Sequence, residues 1–294
     1  MHKRSFHFSP KDKIAFYWNY FSSKVIFLWF EVKRPKTTVF LYEIIYSFLK
    51  IFNRSSLFPS PFSTSLVVTR FGAFRIRPHT VDMSNCSPAF ERKDIDYLLK
   101  TMEGLIREGE RILFFDIGAD IGTFTVTLGN RYRGYENLSI MAFEPALSSY
   151  EILKENISLN DLSGKAVLFN FALFSKDNVK LEFQFNSNAP GSSGIKMSMG
   201  GDAVNEIVPA KTLDAVVENS LDGYDVLIFK MDVEGAEIEV LKGALKALNS
   251  GKKIILLVED FVNPAIIEYL QGIGADFLCK LTPYNSWWHY RRSL

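Results

Sequence analysis

From Arg111 onward the sequence alternates short apolar runs with amphipathic stretches, and this alternation constrains the fold more than any other feature. Apolar runs over 112–117, 139–143, 166–170, 226–231 and 254–258 are separated by segments of helical spacing: one after Gly122, one over 148–159 and one over 236–248. The runs are almost continuously apolar, the pattern of strands covered on both faces. The expected architecture is therefore a mostly parallel, twisted α/β sheet with helices on both faces, of the Rossmann-like kind. Ligands of such sheets collect at the carboxyl ends of the strands, so function is sought in the residues that follow each run. Between the third and fourth runs lies an insertion. Residues 179–185 (VKLEFQF) alternate as an edge or hairpin strand, and 186–201 is a loop with four Gly and four Ser that could cover a substrate.

Upstream of Arg111 the chain changes character. Residues 67–77 (VVTRFGAFRIR) read as a hairpin around Gly72, and 91–106 place Ile95, Leu98, Leu99, Met102, Leu105 and Ile106 at helical spacing. The Pro- and Ser-rich FPSPFST over 58–64 marks a linker. Three regions follow: an N-terminal extension over 1–60, an accessory hairpin and helix over 61–108, and the sheet domain over 109–294. Residues 1–55 carry ten basic residues against three acids in a chain of net charge +1, so the remainder is acidic. With aromatics such as Tyr17, Trp18 and Trp29, this stretch suits peripheral contact with an anionic membrane or a partner protein, or a pair of helices packed on the sheet domain. Lys24, Glu31, Glu43 and Lys50 interrupt its apolar runs, so neither a transmembrane helix nor a secretory signal is expected. Cys86 and Cys279 make no disulfide framework, which favours a reducing compartment; a cytoplasmic location, with peripheral membrane association as an addition, is the expectation.

Chemistry concentrates in two motifs. The first, Asp116-x-Gly118-x-Asp120-x-Gly122, sits where a strand turns into a helix. Gly118 lets the backbone pass close under a ligand, Gly122 allows helix and strand to approach, and Asp116 can receive an ammonium group directly or through water. Dinucleotide sites cradle pyrophosphate with G-x-G-x-x-G, and nucleotide triphosphatases use G-x-x-x-x-G-K-[ST]; neither is intact here. S-adenosylmethionine needs no phosphate cradle and is the expected cofactor. Glu144, after the second strand and before Pro145, can accept hydrogen bonds from both ribose hydroxyls. Asn170 and Ala172, around Phe171 at the end of the third strand, could hold adenine.

The second motif is Lys230-x-Asp232-x-Glu234-Gly235-x-Glu237. Three carboxylates at one strand end repel one another unless a cation intervenes, and Lys230 or a sulfonium ligand meets that need. Asp232 is expected to touch cofactor, with Asp232 or Glu234 as the general base and Lys230 tuning their charge. Glu234 and Glu237 also suit a helix N-terminus. His79 and His289 are alternative bases, although a lone histidine outside a motif is more often structural. No metal is expected, because no spacing demands one; Asp232 with Glu259-Asp260 is the set that could hold a divalent ion.

These motifs, together with Glu144-Pro145, EILKENISLN over 151–160, Thr212-Leu213-Asp214 and Val258-Glu259, resemble the FkbM family of S-adenosylmethionine-dependent methyltransferases from about Arg111 to Glu259. The resemblance implies the class I methyltransferase fold and O-methylation of a hydroxyl on a sugar, glycolipid or secondary metabolite. It implies cofactor roles for Asp116, Gly118, Gly122 and Glu144, and a D-x-E-G-x-E signature in Asp232, Glu234 and Glu237. The family usually has Asn where this chain has Asp120. A small-molecule or glycan acceptor is expected. A nucleic-acid substrate is not, since the sheet domain is acidic and has DVEG where amino-methylating enzymes carry N/D-P-P-Y/F. A non-catalytic scaffold that binds a membrane or partner through its N-terminus is the competing reading from another class.

Overall fold

The computed structural model describes residues 65–77, 80, 82–86, 90–186, 190–195, 203–218 and 220–290. The basic, aromatic extension, the linker over 58–64 and His79 lie outside them. Strands β1 (Ser65–Val68) and β2 (Ala73–Ile76) pair as the predicted antiparallel hairpin, followed by helices α1 (Asp82–Asn85) and α2 (Arg92–Arg107). The alternating region then gives β3 (Ile112–Ile117), α3 (Thr123–Arg131), β4 (Leu138–Phe143), α4 (Leu147–Leu159) and β5 (Ala166–Phe169). The insertion forms β6 (Ala172–Leu173), β7 (Val179–Asn186), β8 (Gly194–Ile195) and β9 (Ala203–Lys211). After α5 (Leu213–Val216) come β10 (Val226–Met231), α6 (Glu237–Lys242), α7 (Leu245–Leu248) and β11 (Lys253–Glu259). The last elements are α8 (Ala265–Gly272), β12 (Asp276–Cys279) and β13 (Asn285–Tyr290).

The central sheet has the order β12-β13-β11-β10-β3-β4-β5, with β13 antiparallel to its neighbours and the remaining pairs parallel. ILFFDI of β3 and VLIFKM of β10 bury every side chain, as their near-continuous apolar sequence demands. Alternate residues feed two cores. Ile112, Phe114 and Ile228 pack with Phe124 and Leu128 of α3 and Leu153 of α4, while Leu113, Phe115 and Phe229 pack with Val240 of α6 and Leu270 of α8. Helices thus cover both faces. Register places Asp116 opposite Lys230, each one residue before its strand ends.

The accessory hairpin and α2 share the first of these cores, through Phe74, Ile76, Ile95, Leu98 and Met102. Polar groups fix the docking. Asn160 of α4 donates to the Ala73 carbonyl at 2.6 Å and accepts from the Ala73 amide at 3.0 Å, so a side-chain amide serves as the next strand beside β2. Buried Asp94 of α2 accepts from Trp287 Nε1 at 2.7 Å and Thr282 Oγ1 at 2.9 Å.

Three elements differ from the sequence expectation. The helix over 236–248 is broken into α6 and α7 around Gly243, where a Cβ would lie 2.1 Å from the Phe174 carbonyl oxygen, so the close approach of that strand-end segment requires glycine. Asp214 then caps α7, accepting from the amides of Lys246 at 2.9 Å and Ala247 at 3.0 Å. The insertion builds a separate sheet, β6-β9-β7-β8, which the sequence did not reveal; within it β7 pairs antiparallel with β9, the hairpin alternative of the sequence reading. The pair β12-β13 was not expected at all. NSWWHY is not an aliphatic run, yet Trp287 and Trp288 are essentially inaccessible between the helices and β11. Among the described residues no helix is long and apolar enough to cross a membrane.

Trp287 fills the core and satisfies Asp94 at once. Trp287→Ala is expected to lower the unfolding free energy by about 3–5 kcal/mol, the range for a large aromatic removed from a packed core. Urea titration followed by far-ultraviolet circular dichroism measures it, and a loss below about 1 kcal/mol would contradict this role.

Candidate active site

The carboxyl ends of β3, β4 and β10 open onto a cleft walled by Gly118, Asp120, Glu144, Phe171, Asp232 and Val233. The second sheet closes it from above through Phe183, Pro190, Ser193 and Ile195, so the described part of the Gly- and Ser-rich loop does border the cleft.

Behind the lining residues lies Lys230, 5% exposed, whose Nζ donates to the Gly118 carbonyl at 2.7 Å and stands 3.5 Å from Asp232 Oδ2 and 3.7 Å from Asp116 Oδ1. Burial alone would depress this ammonium, but the charges of Asp232, Asp116 and Glu91 outweigh it and hold its pKa above the ordinary lysine value. Its Nζ also lies 5.4 Å over the Phe124 ring. Asp116 sits behind the cleft wall. Its Oδ2 accepts from the Thr125 amide at 3.0 Å and hydroxyl at 2.6 Å, tying the start of α3 to β3, and Oδ1 has no hydrogen-bond partner. Gly118 has φ 76°, and a Cβ there would lie 1.8 Å from the Asp232 carbonyl oxygen. The glycine thus lets the two strand-end loops touch. Gly122 makes room for Leu153 of α4, 2.5 Å from where its Cβ would be.

Glu144 is 6% exposed, and each of its carboxylate oxygens accepts one backbone amide at 2.9 Å, Oε2 from Asp120 and Oε1 from Ala146. Burial, and then the nearby Asp120 charge, push its carboxyl up to about 8. Asn170 spends its amide on the carbonyls of Glu144 and Pro145, both at 3.0 Å, so it shapes the Glu144 turn and does not line the cleft. Phe171, Ala172 and Leu173 form the apolar wall, backed by the Phe143–Phe169–Phe171 cluster.

Asp120 stands at φ 45°, a conformation aspartate tolerates better than most residues. Its carboxylate accepts from Arg77 Nη2 at 2.8 Å, Ser149 Oγ at 3.0 Å and Asn85 Nδ2 at 3.2 Å. Arg77 also forks onto Asp82 with two 2.8 Å bonds and reaches Ser149 at 2.8 Å. The acid that replaces the family's usual asparagine is therefore neutralised by a cation from the hairpin. Sequence reasoning missed Arg77; the signal was Asp120 itself, a charge beside a buried loop that needs a counter-ion.

Asp232 lines the cleft together with Val233 and Ala236, while Glu234 and Glu237 do not border it. Glu234 lies at φ 53°, with its carboxyl pushed up to about 8 by burial and then by Asp232 and Glu237. Glu237 is wholly buried. Its Oε1 accepts from the amides of Val233 at 3.1 Å and Gly235 at 3.2 Å, which makes it the clasp of this turn. Glu259 at the end of β11 is raised by burial and then by Asp232, and Glu91 at the start of α2, also missed from sequence, is raised by the same two causes. His289 lies on β13 and does not line the cleft.

A carboxyl whose folded pKa is raised stabilises the fold below its unfolded value, near 4.5, and that contribution is lost as pH rises through its folded value, about 8 for Glu144. The melting temperature should therefore fall between about pH 5 and pH 8, and fall less steeply in Glu144→Gln, as differential scanning calorimetry across that window would record. Equal slopes would refute this reading of Glu144.

The sequence profile of the methyltransferase FkbM domain family matches residues 116–276. The methyltransferase sdnD of Sordaria araneosa is 31% identical, over 44% of this chain and 58% of its own length. The hexuronic acid methyltransferase AglP of Haloferax volcanii is 26% identical, over 62% of this chain and 70% of its own length. The chain spans little more than half of the two fungal relatives, 58% of sdnD and 56% of methyltransferase 1 of Beauveria bassiana. A solved FkbM methyltransferase from Methylobacillus flagellatus KT shares 15% identity at a TM-score of 0.41, covering 62% of this chain and 43% of that one. The profile match takes in more than half of the sequence, from the first acid of the cleft loops to the start of β12, and the chain belongs to the FkbM methyltransferase domain family.

Proposed function

We propose that this chain transfers a methyl group from S-adenosylmethionine to a hydroxyl of a sugar or related small-molecule or glycan acceptor. The observation that carries the reading is Glu144, held by two backbone amides at the end of the second parallel strand with acceptor capacity left over toward the cleft. A carboxylate so placed suits a pair of vicinal hydroxyls, the apolar wall of Phe171, Ala172 and Leu173 suits an aromatic base, and Asp232 suits a cationic centre. Ribose, adenine and the methionine sulfonium present those three features in one molecule. Family membership supports the reaction, and the name of AglP supports a carbohydrate acceptor.

When bound, S-adenosylmethionine supplies an electrophilic methyl carbon. The chain's own task is chiefly positioning, bringing the acceptor oxygen within about 3–3.5 Å of that carbon and in line with the breaking bond. As the new C–O bond forms, the hydroxyl proton must leave, and Asp232 or Glu234 accepts it. Glu234, at about 8, is a stronger base than an ordinary carboxylate, although most of its population is protonated at neutral pH. Lys230, buried and charged, pairs with Asp232 at 3.5 Å and holds the Gly118 loop through its carbonyl.

Calorimetric titration of the purified protein with S-adenosylhomocysteine is expected to give micromolar binding. Glu144→Ala should weaken it roughly tenfold, since leaving buried hydroxyl donors without their acceptor costs about 1–3 kcal/mol. No binding by the folded wild-type protein would sink the cofactor assignment. With methylation of hexuronic-acid glycans followed by radiolabel transfer, Asp232→Asn should lower kcat by about 10²–10⁴ if it is the base; a fall in affinity alone, with kcat intact, would move that role to Glu234.

A further inference from the structure

We propose that Asp232, Glu234 and Glu259 form a binding site for a hard divalent cation, of the Mg²⁺ or Mn²⁺ kind, beside the cleft. Asp232 and Glu234 share one loop, and the sheet brings Glu259 to them. Asp232 follows β10, Glu259 ends the adjacent parallel strand β11, and Met231 and Val258 are paired in register just before them. One carboxylate oxygen from each lies within 4.8 Å of the other two. Three atoms so spaced enclose a point no more than about 2.8 Å from each (4.8 Å divided by √3), against about 2.0–2.1 Å for Mg²⁺ and 2.3–2.6 Å for Ca²⁺. Shifts of well under 1 Å per side chain would complete the coordination, on the order of a rotamer adjustment.

The placement of Glu234 is held from behind. Its left-handed φ of 53° is unfavourable for a residue with a long side chain. Glu237 maintains it by binding the amides on either side, those of Val233 and Gly235, and Asn263 adds a bond to the Gly235 carbonyl at 3.2 Å. The turn is thus rigid and independent of what Glu234 itself touches.

An unmet polar demand points to what this cluster holds. Glu259 is 9% exposed, contributes an oxygen to the cluster, and has an Oε2 with no hydrogen-bond partner. Oε2 of the wholly buried Glu237 behind it has none either. Buried carboxylate oxygens left without partners are costly, and several in one place call for a positive charge. Lys230 supplies it to Asp232 alone of the three: its short contact is to the Gly118 carbonyl, and its ion pairs are with Asp116 and Asp232. Among the described residues neither Glu234 nor Glu259 forms an ion pair within 4.0 Å. Asp260, the neighbour that the sequence offered as a ligand, is engaged instead by Lys280.

An all-carboxylate oxygen set selects a hard cation, and three protein ligands leave positions open for the oxygens of another molecule. An acceptor with two adjacent donors, vicinal hydroxyls or a hydroxyl beside a carboxylate, would chelate there, and its coordinated hydroxyl would lose its proton more readily. The second oxygen of a singly coordinating carboxylate remains able to take that proton. This use of the ion rests on the methyl-transfer reading; the site itself does not.

The test is a titration of the full-length, chelator-stripped protein with Mn²⁺, following free Mn²⁺ by electron paramagnetic resonance. Saturable binding of one ion per chain is expected. Glu259→Gln should weaken it by at least about tenfold, since loss of even an outer-shell partner costs roughly 10–100-fold. S-adenosylhomocysteine titrated into the same variant should bind as it does to wild type. Should Glu259→Gln fail to fold, as circular dichroism would reveal, Glu234→Gln is expected to give the same loss. Folded wild-type protein that leaves millimolar Mn²⁺ free, or variants with wild-type affinity, would overturn the site. Mn²⁺ binding that persists where S-adenosylhomocysteine fails to bind would leave the site standing and remove the cofactor reading.

Discussion

One buried ammonium organises this molecule. Lys230 sits one residue before the end of a strand that is otherwise wholly apolar, and taking its charge out of water is tolerable only because Asp116 and Asp232 stand within 4 Å and the Gly118 carbonyl accepts a hydrogen bond from it. Those partners come from both strand ends that form the cleft. The same contacts that solve the lysine's solvation problem therefore fix the relative height of the β3 and β10 loops, and with it the position of Asp232. Gly118 completes the arrangement by having no side chain where the Asp232 carbonyl must lie. Fold stability and site geometry are here one set of contacts, since breaking a buried pair by deleting one member leaves the other charge stranded.

Around that centre the acids are arranged in two roles. Some are spent on the backbone: Asp116 on the start of α3, Glu144 on its own turn, Glu237 on the loop bearing Glu234. Asp232 lines the cleft, and among the described residues neither Glu234 nor Glu259 beside it forms an ion pair within 4.0 Å. The division follows depth, because carboxylates deepest in the structure are those whose oxygens meet amides, and the amides are there because strand ends and helix starts leave N–H groups unpaired. A cluster of like charges becomes tolerable in this way, by alternating structural acids with acids that await a ligand.

Much of this was legible in the sequence. The strands over 112–117 and 226–231 follow from unbroken apolar runs, and the residues that close them, Asp116 and Lys230, stand out because a charge in such a run must have a partner. Sequence reasoning fails where the determining contact is made across the chain. The helix is interrupted at Gly243, a glycine required by the Phe174 carbonyl some seventy positions away in sequence, and nothing local marks that contact. Strand β13 was missed because NSWWHY owes its burial to Asp94 and Ser286, which satisfy the two indole N–H groups, and not to an aliphatic pattern. Asn170 reads as a ligand residue from its place after a strand, yet its amide is consumed by two carbonyls of the neighbouring turn. Glu91 comes from before the alternating region and reaches the site only through the docking of α2.

Arg77 bears on how such a protein can be divided. The residue lies beyond the hairpin strand β2, and its guanidinium answers Asp82 and Asp120 together, while Asp120 offers its own amide to Glu144. The hairpin is thus electrically part of the cleft. A catalytic unit cut at the start of the alternating pattern would keep every recognisable motif and still leave Asp120 as an uncompensated charge one hydrogen bond from Glu144. The inheritable unit of this fold accordingly begins before its signature does, and exchange of the upstream segment between relatives would have to carry residues 77 and 120 together.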